Sequence, residues 1–177
     1  MATFDVETWR SRAWKRYDVG LAKNAGAAAL RFVDDMRSID GLQKIVDWAA
    51  GHGYSVSFVP CDSGGVWLRE DRRIEINDRS RPREQLHIAL HEAGHCLVDR
   101  SEVFDDICRS GYSALDEPMS EAETKRLKKT WLHKVDVLIE EVEAWNRGLK
   151  LAHRLGIDVD RPAFDRTRAR YLKSYMR

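Results

Sequence analysis

The chain has 177 residues, 43% of them hydrophobic, and its 30 basic and 29 acidic residues balance to a formal charge of +1. That is enough apolar sequence for one sizeable core. A balance so close to neutral gives no global electrostatic case for nucleic-acid binding, and the longest small apolar run, Ala25 to Leu30, is far too short to span a bilayer.

Residues 1–51 read as helices, with Trp9, Ala13 and Tyr17 on one face and Leu42, Ile45, Val46 and Ala49 on another. Asp5 and Glu7 stand near the start without an apolar run, which argues against a secretory leader. Cys61, Cys96 and Cys108 are odd in number and lack metal-ligand spacing. They point to free thiols in a reducing compartment, hence to a cytoplasmic location.

Residues 54–77 read as three short strands around Gly64-Gly65 and Glu70-Asp71 turns, expected to form an antiparallel sheet. Alternation puts Val66 and Leu68 on one face and Trp67 on the other. The Val66 face is expected to lie against the helix that follows, and a substrate backbone to pair with a strand between Gly65 and Ile76.

Residues 80–100 read as that helix. Ser80 is the expected N-cap and Pro82 falls in the first turn, where its missing N–H costs little. Leu86, Ala89, Leu90, Ala93 and Leu97 form an apolar face at spacings of three and four. His91-Glu92-Ala93-Gly94-His95 lies in its middle, so two imidazoles one turn apart can reach one metal ion. Glu92 follows the first ligand, where a carboxylate can take a proton from water and pass it to a leaving amine. Gly94 costs a helix about 1 kcal/mol relative to Ala, so it marks the close approach of another backbone or of substrate. His87 is one turn earlier; the outer pair of the three histidines is about 12 Å apart along the axis. His87 is therefore read as standing behind the ligands or at the rim of the site, or as an ordinary partly exposed histidine.

A catalytic zinc needs a third protein ligand and leaves its fourth position to water. Residues 120–155 read as one long helix, opened by Ser120 and Glu123 in capping-box spacing and closed at Gly156. Its expected inward stripe is Leu127, Trp131, Val135, Leu138, Val142, Trp145 and Leu149. At about 100° per residue Glu140 points nearly opposite this stripe, Glu143 is well away from it, and Glu141 lies at its edge. Glu141 is thus the expected third ligand. His133, two turns earlier, is the alternative, and would make the site all-histidine. Residues 160–177 read as a last helix.

The order of a helix ending in Asp47-Trp48-Ala49-Ala50, the strand-like Tyr54 to Val59, Gly65-Val66-Trp67-Leu68, the strand-like Arg73 to Asn77 and then HExxH resembles the ImmA/IrrE-type metallopeptidases. These are small cytoplasmic gluzincins, often carried by phages and other mobile elements. Glu141-Val142-Glu143-Ala144-Trp145 is similar to the E-x-x-A-N-like motif that supplies the family's third ligand, with Trp145 where Asn is usual. The resemblance covers roughly Leu42 to Leu149. It implies Zn2+ at His91, His95 and Glu141, Glu92 as the catalytic base, His87 and Trp145 as supporting residues, and a specific protein substrate such as a repressor or other regulator. The interval between His95 and Glu141 is long, and residues 101–119 form either a lid or a surface excursion.

The expectation is an α+β, predominantly helical, zincin-like single domain with a small three-stranded antiparallel sheet beside the HExxH helix. Two other functions stay open: a metal-binding effector of a phage or mobile element without turnover, and a nucleic-acid-associated regulator. The latter would use Arg10, Arg12, Lys15 and Arg16 with Trp9, Trp14 and Tyr17, or Arg161 to Arg177. Such runs are more often solvated helix faces, so nucleic acid is not the expected partner.

Overall fold

The structure, a computed structural model, describes residues 5–18, 25–61, 64–99 and 120–176. It is an α+β arrangement, mostly helical. Helices α1 (Val6–Asp18) and α2 (Ala25–Gly51) precede strands β1 (Ser55–Val59), β2 (Gly65–Leu68) and β3 (Arg73–Asn77). Helices α3 (Pro82–Asp99), α4 (Glu121–Leu127), α5 (Trp131–Arg154) and α6 (Arg161–Tyr175) complete it. No helix among the described residues is long and apolar enough to cross a membrane. The expected 101–119 lid or excursion, Cys108, and the side chains of Ala13, Trp14, Arg16 and Tyr17 lie outside the described residues.

The sheet is mixed, which corrects the antiparallel expectation. Its order is β1-β3-β2, with β3 parallel to β1 and antiparallel to β2. The central place goes to β3, whose Ile74 and Ile76 are both fully buried. Facing is also opposite to the expectation. Val66 points to solvent at 38% exposure, whereas Trp67 packs onto the core.

Pro82 is the first residue of α3, and the Arg81 carbonyl accepts the Gln85 N–H at 2.9 Å. Arg81, not Ser80, therefore occupies the N-cap position, and Pro82 sits at N1, where no N–H is needed. Every residue from Gln85 to Cys96 is buried, because α2, the sheet and α5 pack around the helix. Leu42, Ile45, Ile74, Ile76, Leu86, Leu90, Trp145, Leu151 and Phe164 belong to one continuous core. Helix α1 docks through Trp9, which meets Phe58 with ring centroids 5.1 Å apart and shares a smaller cluster with Ile39.

The expected single helix over 120–155 is two. The Ser120–Glu123 capping box forms, but α4 ends at Leu127, and Thr130 caps α5 by accepting the His133 N–H at 3.2 Å. A Thr hydroxyl offers its neighbours' backbone an alternative to continuing the helix, and the like charges at Lys125 and Lys129 favour the break. Gly156, at φ +60°, ends α5 as expected. Its buried face carries His133, Val137, Glu141, Ala144, Trp145, Gly148, Leu151 and Ala152. The expected stripe fails at its start, where Trp131 is 81% exposed and Val135 is also exposed.

Helices α3 and α5 cross in near-backbone contact. A Cβ on Gly94 would stand 1.9 Å from the Ala144 carbonyl oxygen, and one on Gly148 would stand 2.2 Å from that of Leu90. The close approach that Gly94 implied is thus another backbone, and it brings the ligand-bearing turns of the two helices together.

Candidate metal centre

Three side chains converge at this crossing. His91 Nε2 is 3.1 Å from Glu141 Oε2, and His95 Nε2 is 3.5 Å from Glu141 Oε1. One ligand atom from each of His91, His95 and Glu141 lies within 4.8 Å of the others, and all three side chains are buried. Two imidazole nitrogens and a carboxylate are the donors of a His2Glu metal site, and three protein donors leave a position for water. The group can hold a metal ion. Glu141 lies in the middle of the buried face of α5 rather than at the edge of an apolar stripe, because the helix turns a different side inward.

The electrostatics suit a cation. Burial opposes charge on His95, but Glu140, Glu141 and Glu92 outweigh it and push its pKa up to about 10. Burial likewise opposes ionisation of Glu141, yet His91 and His95 prevail and hold it well below the ordinary carboxylate range. Glu92, almost completely buried, moves the other way. Burial raises its pKa and neighbouring Glu141 adds to that, against the opposing pull of His91, His95 and the Trp67 backbone N–H. Two carboxylates in one cluster thereby differ in proton affinity, and Glu92 is the one suited to carry a proton.

Glu140 corrects a further expectation. It points toward the site, with Oε1 3.8 Å from His95 Nδ1, because the inward face of α5 is rotated from the stripe used to place it. Glu143 stays away and pairs with Arg147 at 2.8 Å. His133 is buried on the same face as Glu141 but does not join the ligand group, so the alternative third ligand is not brought to it. His87 is buried, which excludes the partly exposed reading. Its Nδ1 lies 3.0 Å from Thr167 Oγ1 and its ring packs edge-on to Phe164, tying α3 to α6. Burial, with the cations Arg83 and Arg170 and against Asp160, lowers its pKa to about 4.

Trp145 lies directly on the site, its indole stacked on His91 with centroids 4.3 Å apart and planes 15° apart. Sequence reasoning missed Trp67, whose backbone N–H is close enough to lower the proton affinity of Glu92 and whose ring stacks on His95 at 6.4 Å. No sequence signal marks that role, since it depends on β2 being an edge strand laid along α3. The basic ends are partly neutralised within the fold: Arg10 pairs with Glu7 and Asp40, Arg161 with Asp165, and Arg170 with Glu84. Comparison of the chain with protein-family models, with curated proteins and with solved structures gives no match.

Proposed function

We propose that this chain is a zinc-dependent endopeptidase acting on a specific protein, such as a regulator or repressor, in the cytoplasm of a cell that carries a phage or mobile element. The observation behind this reading is the buried meeting of His91, His95 and Glu141 beside Glu92. Two imidazole donors, neutral once a bound metal displaces the His95 proton, and one anionic donor match zinc in a site kept open for chemistry. A zinc ion held there supplies Lewis acidity, polarising a peptide carbonyl and acidifying water.

The protein's own groups supply the rest. Glu92, its proton affinity raised by burial, takes a proton from the attacking water and returns it to the leaving amine. Strand β2 is an edge of the sheet, and its Trp67 N–H points off that edge to Glu92. An extended peptide running along β2 would present its carbonyls beside the base.

The test has two arms. Purified protein is expected to hold one zinc per chain by elemental analysis, with most of it lost in Glu141→Ala. Glu92→Gln should keep both zinc and fold while losing cleavage of a proteome-derived peptide library. Cleavage that survives Glu92→Gln refutes the proposed base. Zinc retained by Glu141→Ala, but lost in His133→Ala or Glu143→Ala, refutes the ligand set.

A further inference from the structure

A histidine that binds a metal through one ring nitrogen is ordinarily oriented by a hydrogen bond from the other. Among the described residues His91 lacks that device. Its Nε2 faces Glu141, and its buried Nδ1 has no hydrogen-bond partner among the described residues. His95 differs, since its Nδ1 faces Glu140. What His91 has instead is a fully buried indole lying flat against its ring.

That indole is itself fixed from two sides. Phe164 meets Trp145 edge-on at 5.2 Å, and Tyr171 lies 6.0 Å away, both on α6. Trp145 also follows Glu141 by one helical turn, so the carboxylate and the flat surface that holds the imidazole arrive together on one rigid segment of α5.

We propose that Trp145 is a positioning residue, whose indole face sets the plane of the His91 ring so that Nε2 is aimed at the metal position. This rests on the metal site proposed above and extends it outward to α6. Phe164 and Tyr171 support the indole, the indole supports the imidazole, and no hydrogen bond to His91 Nδ1 from the described residues takes part. An aromatic ring of another kind should keep most of the effect; an aliphatic side chain should lose it even where it fills the space.

The experiment is a Zn2+ competition titration of the full chain against a chromophoric chelator, with urea unfolding of the metal-free proteins as the control. Trp145→Phe is expected to bind Zn2+ within about threefold of the wild type, and Trp145→Leu about 10- to 100-fold more weakly. A folded Trp145→Leu protein with wild-type affinity would overturn the proposal.

Because Trp145 is a core residue, a second measurement needs no variant. In metal-free wild-type protein the carbon-bound protons of the His91 ring should resonate upfield of those of the exposed His153, shielded by the indole. His91 resonances coinciding with those of His153 would refute the stacked orientation. A wild-type protein that binds no Zn2+ would refute the metal reading, while the spectrum would still decide how the ring is held.

Discussion

Replacing Gly94 by Ala tests the helix crossing on which the site depends. The added methyl would lie 1.9 Å from the Ala144 carbonyl oxygen and 2.7 Å from its carbonyl carbon. Ordinary contact begins near 3.4 Å, so α5 would have to retreat by about 1.5 Å, and the obstacle is backbone rather than a side chain that can swing aside. Overpacking of this kind costs about 1–3 kcal/mol, and the better helix propensity of Ala returns about 1 kcal/mol. With a rigid obstacle the cost belongs at or beyond the upper end, and the expected net loss is at least about 2 kcal/mol. Gly51→Ala is the control, because a Cβ there meets nothing within 4 Å.

Urea unfolding of metal-free protein reads the stability difference directly. Gly94→Ala should unfold at a clearly lower urea concentration with an unchanged slope, and Gly51→Ala should stay at or slightly above the wild type. Zinc affinity should fall as well, because a retreat of α5 carries Glu141 away from His91, now 3.1 Å distant. A Gly94→Ala protein with the wild-type midpoint would refute the close crossing.

His87 should make stability depend on pH. Its folded pKa of about 4 lies below its ordinary value of 6.5, so the unfolded chain binds the extra proton first. The contribution is complete above pH 6.5 and is lost as pH falls toward 4, up to about 3 kcal/mol by linkage. His87→Phe should flatten that part of the stability profile in urea titrations, and an unchanged slope would exclude His87 as its source. On the sheet, Val66→Asp should leave a cooperatively folded protein, because Val66 faces solvent, whereas Ile76→Asp should fail to fold, because Ile76 is fully buried at the centre. Circular dichroism melts of the two variants decide between this facing and its reverse.

Much of the site is legible along the chain because its determinants are local. The four-residue spacing of His91 and His95 defines a shared helix face wherever that helix lies. Gly94 announces a close neighbour, and Gly156 with its left-handed backbone stops α5 by its own conformational freedom. The hydrophobic pattern puts Glu141 only at the edge of an apolar stripe; its place in the middle of the buried face is not legible there.

Other features exist only in the assembled fold. The rotation of α5 is set by the Gly94–Ala144 and Gly148–Leu90 contacts. These turn Trp131 out and Glu140 toward His95, against the pattern of hydrophobic residues. The β1-β3-β2 order follows from competition among three short strands for the central place, where burial of Ile74 and Ile76 outweighs adjacency in sequence. Trp67 reaches Glu92, and Trp145 reaches His91, because separate elements meet at one point. Periodicity can say which side of an element is apolar, but the partner that covers it is chosen by packing over the whole molecule.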